Sequence, residues 1–158
     1  MKYPNLEKLV DIIAVLRSEN GCEWDREQTH KSLRPNMLEE AYEAVDAIDE
    51  GDISNLREEL GDVLLPVVLH AQIAKDDGEF DIEDVAKELS DKLIHRHPHV
   101  FGNTEVHSTQ EILDNWDKLK KEEKTYRKSV LDGISKSQSA LMSAQKISKK
   151  VVKVGFEW

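Results

Sequence analysis

Between Leu38 and Asp62 the chain carries ten acids (Glu39, Glu40, Glu43, Asp46, Asp49, Glu50, Asp52, Glu58, Glu59 and Asp62) and one base, Arg57. No other feature restricts the fold as much. Carboxylates at this density repel unless the backbone spreads them or a cation gathers them. Glu40 and Glu43 are three residues apart, as are Glu59 and Asp62, and on a helix such pairs share a face. They stand beside apolar residues at helical spacing: Leu38, Tyr42 and Val45 in one segment, Leu60 and Val63 in the next. A run of charges is ordinarily a solvated face. Acids placed beside the apolar stripes of two consecutive helices argue for gathering instead. The predicted partner is a hard divalent cation with oxygen ligands, most simply Mg²⁺. Gly61, between Glu59 and Asp62, costs a helix roughly 1 kcal/mol relative to alanine and leaves room for a neighbouring helix or a ligand.

The same periodicity runs through the rest of the chain. Leu6, Leu9, Val10, Ile13 and Leu16 predict a helix near 5–19, closed by Asn20-Gly21,. Residues 21–34 read as a loop with a short turn. A second helix starts near Pro35, a residue suited to a first turn, carries Met37, Leu38, Tyr42, Val45 and Ile48, and stops at Gly51. Asp52 or Ser54 caps a third, near 53–75, which Pro66 should kink or weaken,. A fourth follows over 81–97 with Ile82, Val85, Leu89, Leu93 and Ile94 inward, and Pro98 ends it. Ser108 with Glu111 signals a capped fifth helix reaching about Lys128,. Residues 131–137 form a loop, and a last helix spans about 138–154. Strand-like alternation is nearly absent. The fold class is all-α, an antiparallel bundle of four to six helices in one domain over residues 1–158.

Composition narrows the function classes. With 22 Lys and Arg against 32 Asp and Glu, the net charge is −10, which disfavours binding to a nucleic-acid backbone. A bound metal would still admit phosphate ligands by inverting the local sign. Cys22, the one cysteine, cannot form an internal disulfide, and its acidic neighbours Glu19, Glu23, Asp25 and Glu27 do not favour a thiolate. No apolar run is long enough for a membrane span, so a cytoplasmic protein is the default reading. A di-iron bundle needs two Glu-x-x-His motifs; only Glu27 to His30 has that spacing, in a predicted loop. P-loop, dinucleotide-binding and nucleophile-elbow motifs are missing. Gly21-Cys22-Glu23-Trp24 is echoed by Gly155-Phe156-Glu157-Trp158, each after a helix. The echo leads us to expect the first half of a two-copy protein, ending where a second copy would begin.

The pattern E-E-x-x-E followed by E-x-x-D resembles that of the MazG-type nucleoside triphosphate pyrophosphohydrolases. Further segments carry the likeness: Gly21-Cys22-Glu23-Trp24-Asp25 with Glu27-Gln28-Thr29, then Arg96-His97-Pro98-His99-Val100-Phe101, Trp116 with Lys120, and Val154-Gly155-Phe156-Glu157-Trp158. Glu23 departs from the family's proline, and Pro66 interrupts the helix that carries Glu59 and Asp62. The resemblance implies an all-α homodimer that holds Mg²⁺, with Mn²⁺ able to replace it. It implies hydrolysis of a nucleoside triphosphate between the α and β phosphates. By position, Glu40, Glu43, Glu59 and Asp62 would be metal ligands, and Glu39 would orient or deprotonate the water. The rival reading is a catalytically weak or inactive dimerisation and nucleotide-binding module that keeps the carboxylates.

A pyrophosphate leaving group calls for positive charge. Lys92 and Arg96 share a helix face and Lys120 adds a third candidate; solvated surface charge explains them equally well. Trp116 or Trp24 could stack on a base or simply pack, and packing is the commoner use of a helical Trp. His95, His97 and His99 alternate along a helix end, where residues two apart do not face one another, so a structural role is expected rather than zinc.

Overall fold

The computed structural model describes residues 3–156, and those residues form helices and connecting segments without a strand. Eight helices follow in order: α1 (Pro4–Arg17), α2 (Glu23–Glu27), α3 (Arg34–Glu50), α4 (Ile53–Asp76), α5 (Ile82–Arg96), α6 (Pro98–Phe101), α7 (Thr109–Glu122) and α8 (Ala140–Val152). Six are the long helices expected from periodicity. The other two, α2 and α6, are too short to show an apolar repeat, and α6 starts on Pro98, the residue that stops α5. The chain divides into two compact units, Met1–Ser90 and Asp91–Trp158, with the boundary inside α5. Glu157 and Trp158, the end of the terminal echo, lie outside the described residues.

In the first unit α3 and α4 form a tight antiparallel hairpin, and α1 packs on α4. The turn is built locally. Gly51 takes a left-handed conformation with φ 72°, which a side chain would resist. The amide of Asp52 then bonds to the Ala47 carbonyl at 3.1 Å, closing α3 with a Schellman-type cap. The Asp52 carboxylate accepts from the amides of Ser54 and Asn55, each at 3.0 Å, and opens α4. The core joins Ile13, Leu33, Val68, Leu69 and Ile73, with Leu9, Val10, Leu16, Leu64 and Ile82 around them.

Two ties hold the 18–33 segment to that core. The Arg17 guanidinium bonds to Asp76 at 2.8 Å and to the carbonyls of Asp25 and Gln28. His30 and His70 stack with ring centres 5.0 Å apart and bring their Nδ1 atoms to 2.7 Å. Burial, followed by the His30 charge, lowers the His70 pKa. Pro66 does not break α4: the helix continues through it, and the ring is buried. Its missing N–H leaves one rung out of the helix ladder, and burial of the ring offsets part of that cost.

One expectation is corrected. The large apolar residues of α3 do not fill the core. Leu38, Tyr42, Val45 and Ile48 are exposed, Tyr42 to 60%, whereas Ala44 and Ala47 are buried. Small residues at the hairpin contact let two backbones approach closely, and the long side chains are left on the outer flank. On α5, Leu89, Leu93 and Ile94 are likewise exposed rather than inward.

The second unit is held by polar ties. Arg96, only 8% exposed, sends Nε to Glu123 Oε1 at 3.0 Å and pairs through Nη2 with Oε2. Asp132 accepts from the amides of Lys128 and Ser129 at 2.7 and 2.8 Å. Lys150 donates to the carbonyl of Val130 at 2.6 Å, and Lys153 pairs with Asp117. α7 ends at Glu122, short of the expected Lys128, and the chain enters a series of turns. At its start the Ser108 hydroxyl accepts from the Glu111 amide at 3.2 Å. The Glu111 carboxylate reaches back to the amide of His107, one residue before the usual capping-box target,.

A candidate metal centre on the α3–α4 hairpin

The hairpin aligns the two acidic segments. On α3, Glu40 and Glu43 lie one turn apart; Glu59 faces them from α4. One carboxylate oxygen from each of Glu40, Glu43 and Glu59 lies within 4.8 Å of the others. Glu40 and Glu59 are half-buried and Glu43 is exposed. The group therefore opens to solvent at Glu43 while an inner oxygen of Glu59 is covered. Glu59 Oε2 is buried with no hydrogen-bond donor, an arrangement that is costly unless something positive reaches it.

The charges register this crowding. Desolvation raises the Glu43 pKa, followed by the charges of Glu40 and Glu39, a hydrogen bond with Glu40, and the charge of Asp62. Desolvation also raises that of Glu59, with Glu43, Asp62, Glu58 and Glu40 adding to it. Burial and mutual repulsion both favour the protonated carboxyl over the carboxylate. An all-oxygen, anionic set with an open side and an orphaned inner oxygen fits a hard divalent cation.

The five predicted acids do not stand equally. Glu40, Glu43 and Glu59 converge. Asp62, half-buried one turn along α4, and Glu39, exposed, reach the group through their charge. Two contributors were not singled out by the sequence reading. Glu58 raises the Glu59 pKa. Asn36 donates from Nδ2 to Glu40 Oε1 at 2.6 Å; its position four residues before Glu40 is the signal that could have found it. A Cβ built on Gly61 would meet no atom within 4 Å, so no close packing within the described residues demands that glycine.

The predicted cations Lys92, Arg96 and Lys120 and the Trp116 ring belong to the second unit, Trp24 to the first. In the second, Arg96 is engaged by Glu123, which with its own charge keeps the guanidinium pKa raised against burial. The Arg96 and Lys120 cations lie 5.4 and 4.8 Å from the centre of the Trp116 ring, a cation–π arrangement. Desolvation, then repulsion from Arg96 and Lys124, lowers the Lys120 pKa. Lys92 is half-buried in the same unit. Trp24, in the first unit, is 62% exposed on α2. His97 bonds through Nδ1 to the Leu93 carbonyl at 2.7 Å and its ring lies 5.7 Å from that of His99, while His95 lies 3.9 Å from Glu123.

Comparison with known proteins gives the family. The family described as MazG nucleotide pyrophosphohydrolase domain matches residues 28–101, a span that contains all five acids. Over 153 residues the chain is 50% identical to a Thermotoga maritima protein named nucleoside triphosphate pyrophosphohydrolase/pyrophosphatase MazG, covering 96% of this chain and 58% of that one. Over 156 residues it is 46% identical to the Escherichia coli K12 nucleoside triphosphate pyrophosphohydrolase, covering 97% of this chain and 59% of that one. The chain thus spans less than two thirds of these curated relatives. A solved structure of a mazG-related protein from Thermotoga maritima superposes with a TM-score of 0.61 at 31% identity, covering 73% of this chain and 98% of that one.

Proposed function

The chain belongs to the family of MazG nucleotide pyrophosphohydrolase domains, and on that premise we propose that it hydrolyses nucleoside triphosphates between the α and β phosphates, releasing the monophosphate and pyrophosphate. The observation that carries this reading is the convergence of Glu40, Glu43 and Glu59 around an inner oxygen that lacks a donor. Those three residues, with Asp62, would hold Mg²⁺, or Mn²⁺ in its place. Bound there, the ion supplies charge neutralisation for phosphate oxygens and lowers the pKa of water.

The protein's own groups do the rest. Glu39, exposed next to Glu40, would orient a water or take its proton. The open space over Gly61 gives a ligand room on the acidic face. Lys92, Arg96 and Lys120 are the proposed phosphate-binding cations. Lys120, disfavoured as a cation by burial and then by Arg96 and Lys124, would be stabilised by an added anion. Trp116 and Trp24 are the proposed base-stacking surfaces. The exposed stripe of Leu38, Tyr42, Val45 and Ile48 on α3 fits a second copy of the chain, so the working form is a homodimer. Among the described residues no helix is long and apolar enough to cross a membrane.

Pyrophosphate release from a panel of triphosphates, with and without Mg²⁺, tests this reading. Glu40→Ala and Glu59→Ala should each abolish turnover. Equal turnover in both variants and the parent would remove the metal centre from the mechanism. A parent that binds nucleotide and Mg²⁺ but releases no pyrophosphate would instead be the non-catalytic module.

A further inference from the structure

Glu40 is held from behind. Asn36 lies in the first turn of α3, directly after Pro35, whose ring fixes the local backbone,. Its side-chain amide goes forward to Glu40 Oε1 at 2.6 Å, and both residues are half-buried. We propose that Asn36 is a positioning residue for the divalent-cation site, presetting the Glu40 carboxylate in its ligating orientation without cancelling its charge. This rests on the reading of Glu40, Glu43 and Glu59 as that site.

Three physical points support it. A glutamate has three rotatable bonds, and freezing them when a ligand arrives costs affinity. A hydrogen bond from a residue one turn away prepays part of that cost. The donor is also neutral. Lys or Arg at position 36 would hold Glu40 equally well but would compete with the cation; Asp or Glu would add a further negative charge beside three carboxylates whose oxygens already lie within 4.8 Å of one another. Finally, one bond on Oε1 leaves the other oxygen and a remaining lone pair for the site. The Asn36 amide is directed to a side chain rather than to a backbone group of the first turn, which is where a mere helix-start Asn would send it.

The test is calorimetric titration of Mn²⁺ into the full chain, with melting temperature measured beside it. Asn36→Leu keeps the size and removes the donor; Asn36→Gln keeps the donor. Asn36→Leu should weaken Mn²⁺ binding by about tenfold, as loss of a ligand-orienting hydrogen bond typically does, and Asn36→Gln should recover most of it. The Mg²⁺ concentration for half-maximal turnover should rise in parallel, with kcat at saturating metal nearly unchanged. Asn36→Leu binding Mn²⁺ as tightly as the parent overturns the proposal, even if its melting temperature falls. A parent that binds no Mn²⁺ removes the cation site itself, and the proposal with it. If Asn36→Leu fails to fold, Asn36→Ala gives the same comparison.

Discussion

Glu59 sets the electrostatic character of the hairpin. Its folded pKa lies above the ordinary value of 4.5, so the fold favours its protonated form. For such a group the stability contribution is complete below the unfolded pKa and is lost as pH rises through the folded one. In chelator at neutral pH, Glu59→Gln should therefore melt higher than the parent, and the gap should close on acidification. Excess Mg²⁺ should reverse the order, because only the parent keeps the ligand; thermal melts with chelator and with Mg²⁺ read both effects. His70 behaves oppositely. It is a base whose folded pKa is lowered, so its contribution is intact above the unfolded value and is lost as pH falls from there through the folded one. His70→Gln should flatten the decline in melting temperature on the acid side of the usual imidazole range. Spacing pairs Glu40 with Glu43 and Glu59 with Asp62 on helix faces; it does not say that Glu40, Glu43 and Glu59 converge while Asp62 and Glu39 stand outside the group. The His30–His70 pair was not legible: forty residues separate the two rings, and no local pattern announces such a contact.

Among the helices, Gly61 gives the sharpest test. Nothing in the described residues lies within 4 Å of a Cβ at that position, so Gly61→Ala should stabilise α4 by about 1 kcal/mol. If the open space admits substrate, the same change should raise KM for the triphosphate while leaving Mn²⁺ binding intact; an unchanged KM would assign that space to something else. Helix starts and stops were read well wherever the signal was chemical and local: Asp52 and Ser108 as caps, Gly51 as a terminator. They were read poorly where it was not. No glycine or proline marks the end of α7, so the helical pattern predicts a helix past Glu122, where the chain instead enters turns. The five residues of α2 could not show a period. Pro66 lies inside α4, which continues through it with the ring buried; burial offsets part of the cost of the lost rung.

Taken whole, the chain keeps much apolar surface outside. Sequence periodicity found the helices but could not say which side of an amphipathic helix meets its own chain, because an interior face and a subunit face have the same composition. The buried side of α3 is marked by Ala44 and Ala47, and its bulky side is open. The proposed homodimer follows from that difference. Sedimentation equilibrium should give twice the chain mass for the parent and the single mass for a Tyr42→Lys, Val45→Lys double variant, whose helical circular dichroism should persist.

The uneven placement of the core has a further consequence, for the lifetime of the fold. Among the described residues every buried apolar side chain precedes Asp91; after it, ion pairs and capping bonds take over. Such contacts open at low free energy. Amide hydrogens of α4 should therefore exchange slowly and those of α7 and α8 quickly, and a protease should cut first in the turns between Glu123 and Ser139. The carboxylates lie in the part with the buried apolar core. A chain nicked in those turns would still carry Glu40, Glu43 and Glu59 on intact helices.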